Sequence, residues 1–81
     1  MPRYYFDLRE GGEFVPDDEG MELSSMHAVQ EEAARSLVDL ARDNVRKRIN
    51  GAGERMAIEV RDRNGPVMQV KFTFEINKLK R

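Results

Sequence analysis

Met56-Ala57-Ile58-Glu59-Val60-Arg61, the turn Asp62-Arg63-Asn64-Gly65, and Met68-Gln69-Val70-Lys71-Phe72-Thr73-Phe74-Glu75-Ile76 read together as one β-hairpin. Met56, Ile58 and Val60 alternate with Ala57, Glu59 and Arg61, and Met68, Val70, Phe72, Phe74 and Ile76 alternate with Gln69, Lys71, Thr73 and Glu75. A period of two puts each apolar set on one side of its strand. Asn64-Gly65 is a strong hairpin signal because both residues accept positive φ, which predicts two such residues in the turn. Strands with one apolar and one polar face belong to an antiparallel sheet that is covered on one side and wet on the other.

The cover lies upstream. No glycine or proline interrupts residues 26–49, and Ser24 and Ser25 precede them as N-cap candidates. Asn50-Gly51-Ala52-Gly53 supplies a left-handed stop, and Arg46, Lys47 and Arg48 suit the negative end of the helix dipole. At 100° per residue Met26, Val29, Ala33, Leu37 and Leu40 form the stripe that rests on the sheet. Ala34, Val38, Ala41, Val45 and Ile49 form a second stripe beside it. That extends the apolar arc beyond what one flat sheet face covers, so these five residues are the expected interface of a homodimer, the alanines permitting close approach. A 24-residue helix is about 36 Å long, whereas strands of seven to nine residues reach only about 23 to 30 Å, so the helix should overhang its sheet at Arg46–Ile49.

Upstream again, Tyr4, Phe6 and Leu8 alternate with Tyr5, Asp7 and Arg9 as another half-buried strand. Gly11-Gly12 turns the chain, Glu13-Phe14-Val15 pairs back, and Pro16 stops that strand because it has no N–H for the ladder. The stretch Asp17-Asp18-Glu19-Gly20-Met21-Glu22-Leu23 reads as an acidic loop. The order is therefore β-β-α-β-β: an α+β two-layer sandwich, one antiparallel sheet with one long helix on one face, forming a single small domain over residues 1–81.

Composition narrows the chemistry. A chain of 81 residues that is 40% hydrophobic and 36% charged has material for one core inside a densely charged surface. The absence of cysteine removes disulfides, thiol nucleophiles and thiolate-bound zinc, and one histidine cannot supply a two-imidazole metal site. His27 has no evident base partner and the serines stand only at 24, 25 and 36, so no nucleophile–base pair can be assembled and no enzyme is expected. The acidic loop has a glycine but not the alternating ligand spacing of a calcium loop, so neither a metal nor a cofactor is expected. No apolar run approaches a membrane span, and Met1-Pro2-Arg3-Tyr4 lacks the plan of a signal peptide, which points to a soluble cytoplasmic protein without membrane partners.

Charge is polarised along the chain. Residues 1–30 carry two basic and seven acidic side chains, a net −5, and residues 31–81 carry twelve and eight, a net +4. Arg42, Arg46, Lys47, Arg48, Lys78, Lys80 and Arg81 gather much of the excess into a basic contact patch that suits a phosphate backbone. The near-neutral total and the carboxylates among these cations favour a protein-interaction module, self-associating through the helix and open to a further protein partner, over a nucleic-acid binder.

The start Met1-Pro2-Arg3-Tyr4-Tyr5-Phe6-Asp7 and the box Asp17-Asp18-Glu19-Gly20-Met21-Glu22-Leu23 ahead of an alanine-rich helix resemble a family of short bacterial proteins with no assigned activity. Those proteins similarly begin Met-Pro-Arg-Tyr and carry an acid-acid-Gly-x-Glu-Leu box. The architecture also resembles antitoxin domains of the HicB type, which pair a small antiparallel sheet with one helix. Only the architecture is shared with those domains; the alternative function, motivated by the basic excess of residues 31–81, is a nucleic-acid-binding or HicB-like regulatory protein that uses the basic helix end and the C-terminal tail.

Overall fold

The structure is a computed structural model that describes residues 2–47, 53–75 and 79; at 44–47, 53–54 and 74–75 it describes the backbone alone. The strands are β1 (Arg3–Glu10), β2 (Glu13–Val15), β3 (Met21–Glu22), β4 (Gly53–Asp62) and β5 (Gly65–Glu75), and the helix α1 spans Met26–Lys47 between β3 and β4. All pairings are antiparallel in the order β2-β1-β4-β5, with β3 also on β1. This is the expected α+β sandwich with its single helix on one face of the sheet.

The alternation places the sheet's share of the core as expected, and Val29, Ala33 and Leu37 bury as expected from α1, but Met26, expected in the same stripe, stays exposed at 48% and Ala41, expected in the outer stripe, joins the core. Tyr4, Met56, Ile58 and Val60 from the sheet meet Val29, Ala33, Leu37 and Ala41 from α1, with Phe6, Leu8, Leu23, Leu40, Met68 and Val70 packed around them. Val29 and Val60 are wholly enclosed. Ser25 caps the helix, its hydroxyl accepting from the Ala28 N–H at 3.1 Å while its carbonyl takes the first helical bond from Val29.

Four further details differ from the sequence reading. The acidic loop contains a strand, because Met21 and Glu22 pair with Tyr4 and Arg3. From the pair Leu8–Val15 to the pair Tyr4–Met21, β1 advances four residues and its neighbour six, so β2 and β3 are the two ends of one interrupted edge strand with a bulge between them. In the β4–β5 turn only Gly65 has positive φ, at 125°, and Asn64 does not. The register then slips, Arg61 facing Pro66 and Val60 facing Met68, which leaves Val67 as an unpaired bulge residue.

The fourth difference concerns length. With ten and eleven residues, β4 and β5 run longer than the alternating segments alone suggest. Eleven residues of strand reach about 36 Å and the 22 described residues of α1 about 33 Å, so the described helix is no longer than the longest strand beneath it. Arg48 and Ile49, the far end of the expected overhang, lie outside the described residues.

Ile58 is 4% exposed in the middle of this core. Ile58→Ala should lower unfolding stability by about 3 kcal/mol, the combined loss of transfer energy and cavity formation. Urea denaturation measures it, and a change under about 1 kcal/mol would mean that α1 does not seal this part of the sheet.

Candidate functional site

The face of the sheet away from α1 carries Tyr5, Asp7 and Arg9 from β1 and Ala57, Glu59 and Arg61 from β4. The register sets Tyr5 opposite Arg61, Asp7 opposite Glu59 and Arg9 opposite Ala57. This face is not uniformly wet, because Asp7 is only 4% exposed and Ala57 only 8%.

Asp7 is covered by two neighbours. Arg61 Nε donates to its Oδ2 at 2.8 Å and Arg61 Nη2 to its Oδ1 at 3.4 Å, while the Asp17 N–H donates to Oδ1 at 2.9 Å. Arg61 Nη2 also donates to the Asp17 carbonyl at 3.0 Å, and its guanidinium lies 4.5 Å from the centre of the Tyr5 ring. One arginine thus ties β4 to β1 and to the edge bulge at once.

Asp17 completes the arrangement from the other side. Its carboxylate accepts the Phe6 N–H at 3.1 Å, the Glu19 N–H at 3.1 Å and the Gly20 N–H at 3.3 Å. Burial pushes the Asp17 carboxyl up, but three backbone donors and the nearby Arg61 outweigh it and hold the group below the usual carboxylate range. The hydrogen bond to Asp7 in turn makes Arg61 harder to deprotonate. Gly20 closes the bulge with φ 73°, and a Cβ there would lie 2.9 Å from both Arg3 Cγ and Tyr5 Cε2, so the box needs glycine for backbone freedom and for space.

A second cluster continues across the sheet. Arg9 Nε and Gln69 Nε2 both donate to Glu59 Oε2, at 2.8 and 2.9 Å, and the Arg9 guanidinium lies 4.6 Å from the Phe14 ring centre. Among the described residues no buried side-chain nitrogen or oxygen lacks a partner, and no three His, Cys, Asp or Glu side chains are grouped to hold a metal ion. Asp7 accepts from Arg61 and from the Asp17 N–H, which holds β1, β4 and the edge bulge together.

The expected interface stripe is divided. Ala34 and Val38 are exposed, Val38 at 56%, but Ala41 is 8% exposed and faces the sheet of its own chain. That corrects its assignment: the twisted sheet reaches round the helix far enough to cover it. Val45 continues the helix backbone, and Ile49 lies outside the described residues. Of the basic patch, Arg42 is exposed on α1 with its Nη1 3.8 Å from Asp39, and Arg46 and Lys47 lie in the last described turn. Arg48, Lys78, Lys80 and Arg81 fall outside the described residues. His27 is exposed, 3.8 Å from Glu31 one helical turn away. No described helix is long and apolar enough to cross a membrane.

The family model that matches the chain is described as a domain of unknown function, DUF6894, and covers residues 3–73. No curated protein and no solved structure matches it.

The network generates a mutational and a pH prediction. Asp7→Ala should cost about 2 to 3 kcal/mol in urea denaturation, because it strands the Asp17 N–H and the Arg61 guanidinium together. The folded Asp17 binds its proton less readily than the unfolded one, so its contribution is complete above the ordinary carboxylate value and drains away as pH falls through the lower folded value. Asp17→Asn should therefore flatten the acid limb of the stability curve below about pH 4, and an unchanged limb would overturn this role.

Proposed function

The chain belongs to the family whose model covers residues 3–73, and we propose, from its own surfaces, that it is a non-enzymatic protein-interaction module that self-associates through the outer flank of α1. The observation that carries this reading is Val38. It stands 56% exposed beside exposed Ala34, on a helix whose other side is enclosed by the sheet.

A scattered exposed valine is ordinary on a protein surface; its setting is what counts here. Ala34 and Val38 lie one helical turn apart, so they present one continuous patch, and alanine lets a second backbone come close. The cations and carboxylates nearby are largely matched within the chain, as Arg35 with Glu32 and Arg42 with Asp39 show, so the flank is bordered by a balanced polar rim. Such a rim tolerates a like copy, whereas an unbalanced one would repel it.

Sedimentation of the full chain tests the proposal. A concentration-dependent dimer is expected, and Val38→Glu should weaken it roughly tenfold or more by charging a desolvated contact. Because Val38 is exposed in the single chain, the same substitution should leave thermal stability almost unchanged. A chain that stays monomeric at high micromolar concentration overturns self-association.

A further inference from the structure

Strand β5 has eleven residues and ends the sheet, so its outer edge has no partner among the described residues. An exposed edge of this length presents a row of free N–H and C=O groups that invites another strand. Its apolar residues echo the vacancy: Val67 and Phe72 are each 37% exposed. From these features we propose that two copies join edge to edge, their β5 strands antiparallel about a two-fold axis, so that the sheet runs unbroken through the pair.

This inference rests on the self-association reading and gives it a geometry. Helix α1 packs against β4 and β5 in equal measure, so its axis lies above the line between them. With neighbouring strands about 4.8 Å apart, the two helices of the joined sheet would stand about 10 Å apart, on the same face. That is the distance at which helices pack. A two-fold axis perpendicular to the sheet keeps apolar face with apolar face, as continuous cores require.

The burial of α1 shows which flank meets the seam. Ala28, Glu32, Ser36 and Leu40 are half-buried along one flank, and Ala34 and Val38 are exposed along the other. The sheet extends beyond α1 through β1 and β2 on one side but stops at β5 on the other. The covered flank therefore overlies β1, and Ala34 and Val38 overhang the free edge, where the second helix arrives.

Charge selects the register. Centring the axis on Lys71 would set two ammonium groups against each other. Centring it on Thr73 sets Lys71 of each copy opposite position 75 of the other, a glutamate, and position 72 opposite 74, both phenylalanines. Opposite charges directly across a strand pair are favourable and like charges are not. The seam therefore covers Lys71–Glu75 from each copy.

Amide exchange of the full chain, compared at low and high micromolar concentration, reads the seam directly. The Lys71–Glu75 amides that point away from β4 should slow at least roughly tenfold as the dimer forms. Lys71→Glu and Glu75→Lys should each weaken the dimer roughly tenfold, and the double swap should restore it, since the swapped pair is again complementary. A dimer whose outward β5 amides stay unprotected, or whose double swap fails to recover, overturns the seam and leaves association through α1 alone. A chain monomeric throughout overturns both readings.

Discussion

The tie between β1, β4 and the sheet edge depends on one substitution of partners at the edge of β1. Pro16 and the bulge after it interrupt the strand that should pair with the middle of β1, and a buried N–H left without an acceptor is costly. The Asp17 carboxylate supplies the acceptor that the missing strand would have given to Phe6, and the Asp17 N–H turns to Asp7 instead. A side chain thus bridges the gap in a backbone ladder. Arg61 locks the bridge because it reaches Asp7 and the Asp17 carbonyl from β4. The local requirement for a bulge becomes a long-range tie between residues 7, 17 and 61.

The rest of the acidic box follows from that tie. Asp17 holds the Glu19 and Gly20 amides in a tight turn, and Gly20 lies so close to Tyr5 and Arg3 that a side chain has no room. The turn delivers Met21 and Glu22 to the end of β1, where Arg3 meets the Glu19 carbonyl at 2.7 Å and the Glu22 carboxylate at 3.7 Å. Leu23 then packs against the core, its N–H bonded to the Pro2 carbonyl, just before Ser25 opens the helix. A stretch that resembles a cation-binding loop in composition is a device for re-entering the sheet and aiming α1.

Which parts were legible follows from the range of the forces involved. The alternation in β4 and β5 and the main helical stripe are periodic and depend on one burial direction, so Met56, Ile58, Val60, Val29, Ala33 and Leu37 fell where the pattern put them. Asp7 was legible only as a polar residue on the open face. Its burial depends on Arg61, 54 residues away, and on the Asp17 backbone, and no local pattern contains that three-way contact. Ala41 was misassigned because a wheel treats the sheet as flat, whereas a twisted sheet covers a wider arc. Strand β3 was hidden because two residues show no period. The one hint was Asp17 itself, a short acceptor next to a proline that had just broken the ladder.

The two edges of the sheet are treated in opposite ways. At the β1 edge the chain uses a bulge, two short strands, a glycine of positive φ and a buried carboxylate, and the result exposes no long run of unpaired backbone there. At the β5 edge the protection found among the described residues lies at one end, where Pro66 removes a donor and Val67 bulges out. Past Met68 the strand runs on without a proline through Glu75, alternating apolar and polar side chains with a single cation at Lys71. Guarding the start of a strand and leaving its continuation open limits where another strand can join. The two-fold seam proposed above would make use of such a limit, because a single register is what converts an exposed edge into a defined contact.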